Sequence, residues 1–153
     1  MHSVTARRTI QASPEQVWAL ATDIAHWPDT ISGVDRVEVL SEGDFGPGTR
    51  WRETRTMLGR EATEEMWVTA TDPERFYTVE AESHGAHYVS TFTFTETAPE
   101  QTEVVLKFSG RPQSTVARVL AKVTGPVASR SVAKALQKDL DDLAAAAERP
   151  ERH

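Results

Sequence analysis

Residues 50–67, RWRETRTMLGREATEEMW, set four arginines and four glutamates among residues that favour strands. Read at a period of two, the stretch folds back on itself about Leu58–Gly59. A turn there places Trp51 opposite Met66, Glu53 opposite Glu64 and Arg55 opposite Ala62 on one face. It places Arg50 opposite Trp67, Arg52 opposite Glu65 and Thr54 opposite Thr63 on the other. The second set suits water, with an opposite-charge pair, a threonine pair and a cation over an indole. The first carries Trp51, Met57 and Met66, so it faces the interior and takes Glu53, Arg55 and Glu64 with it. Register decides this, because a one-residue slip turns every side chain of a strand to the opposite face. A three-residue loop would move Glu64 and Met66 outside.

The same alternation continues outward from this hairpin. VDRVEVL (34–40), RFYTVEAES (75–83), HYVSTFTFT (87–95) and TEVVLKFSG (102–110) read as strands, with short turns that make the sheet antiparallel. Ahead of them, VTARRTIQA (4–12) is a half-buried strand ending at SPEQ. Ser13, Pro14 and Gln16 there form a capping box that starts a helix, with Val17, Trp18, Leu20 and Ala21 as its apolar side. Asp23 is expected to cap a second short helix, and Pro28 to end it. A turn at Gly85–Ala86 pairs Val79 with Phe92 and Tyr77 with Phe94. One face then collects Tyr77, Val79, Ala81, Tyr88, Phe92 and Phe94, while His84, His87, Glu80 and Glu82 take the solvent side. Beyond residue 112, Val116, Leu120, Val123, Val127, Leu136, Leu140 and Leu143 keep helical spacing, with a kink expected at Gly125–Pro126. The result is an α+β chain: a seven-stranded antiparallel curved sheet, two short helices after the first strand, and a long C-terminal helix across the apolar face. Residues 1–148 are expected to form one domain and 149–153 a frayed tail.

Composition bounds the function. The chain has 153 residues, 39% of them hydrophobic and 26% charged, with a net charge of −6 and no cysteine. Such a balance disfavours nucleic acid as a partner, since phosphate needs a basic surface. No run approaches the roughly 20 apolar residues of a membrane span, and the first ten residues lack a signal peptide's apolar core, so the cytoplasm is expected. Walker loops, dinucleotide-binding glycines, nucleophile elbows and metalloprotease signatures are missing, and no cofactor is expected. His84, His87 and Glu82 share the wet side without a third strong ligand, so no metal is expected either. Arg118, Lys122, Arg130, Lys134 and Lys138 form a basic stripe on the long helix. It reads as a solvated face, with weak contact to an anionic membrane surface as its functional alternative.

Several segments carry a resemblance in combination: IQASPEQVWALATDIAHWPDTISGVDRVEVL, then GPGTRW, TATDPERF and the closing LQKDLDDLAAAAE. They resemble the polyketide cyclase/dehydrase and lipid-transport family of the START-like, or SRPBCC, superfamily, across essentially the whole chain. The resemblance implies a helix-grip fold, the sheet wrapped around the C-terminal helix, with a cavity for an apolar ligand. It carries over no catalytic motif, and members of one fold differ in function.

Three functions follow as expectations. The first is binding, with possible transport, of an apolar small molecule such as a lipid or polyketide-like aromatic. Its cavity is bounded by Trp18, Trp51, Met66, Tyr77, Tyr88, Phe92, Phe94, Leu106 and Phe108, and closed by Leu120 and Val123. The second is a cyclase or dehydratase that uses Glu53 or Glu64 as acid or base, Arg55 to orient the ligand, and Tyr88 and Ser90 as hydrogen-bond donors. The third is an interaction module with a small cavity. Monomer and homodimer are both compatible with the sequence.

Overall fold

The computed structural model describes residues 2–57, 59–83, 85–112 and 115–149, and leaves undescribed the side chains of His2, Met57, Ser83 and residues 112–129. The chain runs β1 (His2–Ile10), α1 (Pro14–Ala21), a 3-10 turn (Ile24–His26), α2 (Trp27–Thr30) and β2 (Val34–Val39). It continues through β3 (Arg50–Met57), β4 (Arg60–Asp72), β5 (Phe76–Ser83), β6 (Ala86–Ala98), β7 (Gln101–Pro112) and α3 (Thr115–Ala147). All seven strands join one antiparallel sheet in the order β1, β7, β6, β5, β4, β3, β2. Irregular registers at Val34/Arg36, Val68/Ala70 and Glu96/Ala98 mark where the strands bend.

Local chemistry explains the first helix. Ser13 Oγ accepts the Gln16 amide at 3.2 Å, Gln16 Oε1 accepts the Ser13 amide at 3.0 Å, and Pro14 opens the first turn. The second short helix departs from expectation. Asp23 caps nothing with its side chain and instead takes His26 Nδ1 at 2.9 Å. Pro28 sits in the first turn of α2, where its missing N–H costs nothing, so it begins the helix that it was expected to end. The helical path of α3 is unbroken across Gly125–Pro126.

The β3–β4 hairpin has the expected register, with Trp51 opposite Met66, Glu53 opposite Glu64 and Arg50 opposite Trp67. The β5–β6 hairpin is shifted by two residues. Ser83 pairs with Ala86, Tyr77 with Phe92 and Val79 with Ser90. Both hairpins leave glycine as the last loop residue in the left-handed conformation, Gly59 at φ 75° and Gly85 at φ 78°. That shared preference moves the second turn one residue earlier than expected. Because the slip is even, every side chain keeps its face.

The convex face carries the expected polar pairs, although Thr54 is itself buried rather than solvated. Arg50 meets Glu65 at 2.5 Å and lies 5.0 Å over the Trp67 ring, Arg52 turns to Glu38 on β2 at 2.7 Å, and Thr54 bonds Thr63 at 2.7 Å. His87 lies between Glu80 at 2.7 Å and Glu82 at 3.1 Å, and hydrogen bonds to these two carboxylates raise its pKa above the ordinary value. A raised histidine pKa stabilises the fold below the unfolded value of about 6.5, and that stabilisation is lost as pH rises through the folded value. Proton NMR titration is expected to place the His87 midpoint above that of unfolded chain; a midpoint at or below it would remove the link.

On the concave side, Ile10, Val17, Trp51, Val68, Tyr77, Val104 and Leu106 form a core completed by Leu140, Leu143 and Ala144 of α3. The C-terminal turns of α3 are fastened to both sides of the curved sheet. Toward β1, Asp141 takes Arg8 at 3.0 Å and Glu148 accepts the Gln11 amide at 2.8 Å. Toward β2, Asp142 accepts Ser32 N at 2.9 Å and Ser32 Oγ at 2.7 Å. Helix and sheet therefore grip each other through polar contacts at the rim and apolar contacts between.

Candidate functional site

The concave face divides into a dry end and an open end. At the dry end Trp51 and Tyr77 have no surface that water can reach, and Phe94 and Leu106 are almost as buried. Trp51 meets Trp27 edge-on at 5.7 Å, and Trp18 meets Tyr77 at 5.6 Å and Phe94 at 5.2 Å. The Tyr77 hydroxyl donates to the Ala21 carbonyl at 2.9 Å, so its polar atom is already committed. Trp27, Trp51, Tyr77, Phe94 and Leu106 are packed interior, and the half-buried Trp18 packs against them. Phe45, from the loop between β2 and β3, adds to this cluster at 5.1 Å from Tyr77 and 6.0 Å from Trp18. Sequence reasoning passed over it because no periodicity orients a loop residue.

The open end holds Glu64, Met66, Tyr88, Ser90, Phe92 and Phe108, all half-buried. The register makes them neighbours. Met66, Ala81, Tyr88 and Gly110 form one row across the strands, and Val79, Ser90 and Phe108 the next. Tyr88 stacks on Phe108 at 5.4 Å, and its ring occupies the space over Gly110, where an added Cβ would lie 3.0 Å from Cε1. Glycine at 110 thus lets the tyrosine lie flat on the sheet. Burial, and then the charge of Glu64, push the Tyr88 hydroxyl pKa up, so it stays a neutral hydrogen-bond donor.

The inward charges sort differently from the expected cluster. Glu53 is 3% exposed, and its Oε2 accepts Arg55 Nε at 2.6 Å, while Trp51 Nε1 reaches its Oε1 at 3.4 Å. Arg55 spends its other two nitrogens on Asp139 of α3, at 3.1 and 2.8 Å. Glu64 shares the face but makes no hydrogen bond to Glu53 or Arg55 among those described. The expected partner of the pair is therefore replaced by Asp139. Sequence reasoning missed it, although an aspartate beside Leu136, Leu140 and Leu143 on the apolar side of a helix was a usable signal. Gly33 makes room for this bridge, since a Cβ there would lie 3.3 Å from Arg55 Nη1. Burial lowers the Arg55 pKa, but Glu53 and Asp139 outweigh it and raise the net value. Burial raises that of Asp139, Arg55 opposes it, and the charges of Glu53 and Asp142 add to the rise.

Leu120 and Val123, expected to close the cavity, and Arg118 and Lys122 of the basic stripe lie outside the described side chains. Arg130, Lys134 and Lys138 are exposed, and Lys138 is 3.6 Å from Asp142. Among the described residues no three His, Asp or Glu side chains are placed to share a metal ion, and His84 lies outside them. No helix among the described residues is long and apolar enough to cross a membrane.

Solved structures share this architecture. A protein from Thermus thermophilus is 21% identical, with a TM-score of 0.80 over 95% of this chain and 97% of that one. The Zhui aromatase/cyclase from a Streptomyces species is 19% identical, with a TM-score of 0.79 over 97% and 94%. A START superfamily protein from Mycobacterium smegmatis is 16% identical, with a TM-score of 0.68 over 94% and 99%. At these identities the likeness is one of fold. No curated protein matches the chain. The family model described as polyketide cyclase / dehydrase and lipid transport matches residues 1–148. With its seven-stranded sheet closed on α3 in the START-like manner, the chain belongs to that family.

Proposed function

We propose that the chain binds an apolar small molecule, a lipid or a polyketide-like aromatic, against the open end of the concave face. One observation carries this reading: Met66, Tyr88, Phe92 and Phe108 form a contiguous apolar patch that the fold leaves half-buried while the residues beside it are dry. Leaving apolar surface partly open costs about 25 cal/mol per Å2 that burial would have returned, which a ligand recovers by covering it. Tyr88 and Ser90 supply the polar atoms that would orient such a ligand. Family membership and the Zhui aromatase/cyclase fold support the same class of ligand.

Cyclase or dehydratase activity is the second reading, favoured by Glu64 standing close enough to Tyr88 to raise its pKa. Here Glu64 is the acid or base. Glu53 and Arg55 suit that role less well, because Asp139, Trp51 and each other already occupy their polar atoms. In either reading we take residues 1–148 as one domain, working in the cytoplasm as a monomer or homodimer. Native mass spectrometry of protein purified without detergent tests the binding reading. A co-purifying apolar molecule, lost in the Met66→Asp variant, is the expected result. Protein that is empty and that no lipid or aromatic saturates would sink it.

A further inference from the structure

We infer that the open end selects its ligand by charge, accepting an uncharged apolar molecule with a hydroxyl or carbonyl at Tyr88 and Ser90 and rejecting the same molecule headed by a carboxylate. This rests on the binding reading above and adds the ligand's head group to it.

The charge of the open patch is the ground for it. Among the described residues Glu64 is the charged side chain of that patch; the register places three guanidiniums on the concave face, Arg8, Arg55 and Arg60, and Arg60, opposite Met57 at the hairpin end, is exposed to solvent. Arg55 is bidentate to Asp139 and single to Glu53, so each of its three nitrogens already donates to a carboxylate and its charge is balanced within the bridge. Arg8, at the β1 edge of the same face, is paired to Asp141 at 3.0 Å. Glu64 stands in the half-buried patch itself, where its charge reaches the Tyr88 hydroxyl. The Tyr77 hydroxyl, deeper on this face, has its pKa raised by burial and then by Glu53 and Asp139. A neutral hydroxyl or carbonyl can accept from Tyr88 and Ser90 at no electrostatic cost. A carboxylate at that point would face Glu64 at partial burial, where like charges repel several times more strongly than in water. The penalty should be about tenfold or more in affinity.

The test uses the neutral fluorophore N-phenyl-1-naphthylamine bound to the whole chain, displaced by decanol or by decanoate at about pH 8, where the acid is ionised. The expected result is displacement by decanol and competition by decanoate at least about tenfold weaker, with the gap narrowing in the Glu64→Gln variant. Decanoate competing as well as decanol, or a gap that Glu64→Gln leaves unchanged, overturns the charge selection while the binding reading stands. A protein that takes up neither fluorophore nor decanol overturns both. Circular dichroism of Glu64→Gln confirms that the half-buried position tolerates the change.

Discussion

Arg55→Met is expected to destabilise the fold by about 3–5 kcal/mol, because it strands two buried carboxylates, Glu53 and Asp139, with no cation between them. Asp139→Asn is expected to cost less, about 1–2 kcal/mol, since the pair of Arg55 with Glu53 at 2.6 Å survives it. The pH dependence separates this account from a simple loss of packing. In the methionine variant Asp139 loses the cation that opposes the effect of its burial and keeps the like charge of Glu53, which raises its folded pKa further. A carboxyl with a raised folded pKa contributes stability below its unfolded value of about 4, and that contribution is lost as pH rises through the folded value. The deficit of Arg55→Met against the native protein should therefore shrink between about pH 7 and about pH 5. Urea unfolding at both values measures it. A deficit under about 1 kcal/mol, or one that does not change with pH, would show that the bridge contributes little to holding α3 on the sheet.

Trp51→Ala is the second large effect, about 3–5 kcal/mol. The indole has no surface exposed to water, packs edge-on against Trp27 at 5.7 Å and sends Nε1 to Glu53 at 3.4 Å. Truncation opens a cavity under α2 and takes a donor from a buried carboxylate. Trp51→Phe keeps most of the volume and should cost about 1–2 kcal/mol, mainly for the lost donor. Equal losses in the two variants, read by chemical unfolding, would mean that the hydrogen bond rather than the packing carries the site. Because Trp51 and Arg55 both touch Glu53, their effects should not add.

Much of this architecture was legible in the residues because it depends on local rules. Alternation identified the strands, the box of Ser13 and Gln16 started α1, and glycine in the left-handed conformation closed the hairpins. Where two local rules compete, structure and expectation differ. Gly85 stands last in its loop rather than first, and Pro28 begins a helix rather than ending one. The hairpin difference moves no side chain to another face, since a two-residue shift keeps the pleat in phase.

By itself, the sequence determined that Trp51, Glu53 and Arg55 share one face of their strand, by parity alone. Glu64 and Met66 join them only with an even register at the Leu58–Gly59 turn, which the structure supplies. What only the tertiary structure decided is which of them are used up. Asp139 stands 84 residues from Arg55 along the chain and meets it only because α3 crosses the sheet, so no period or spacing could assign the guanidinium its second carboxylate. That contact turns Glu53, a candidate acid or base, and Arg55, a candidate ligand-orienting cation, into a closed bridge. It leaves Glu64, beside Tyr88, as the carboxylate of the expected cluster that stands in the open apolar patch.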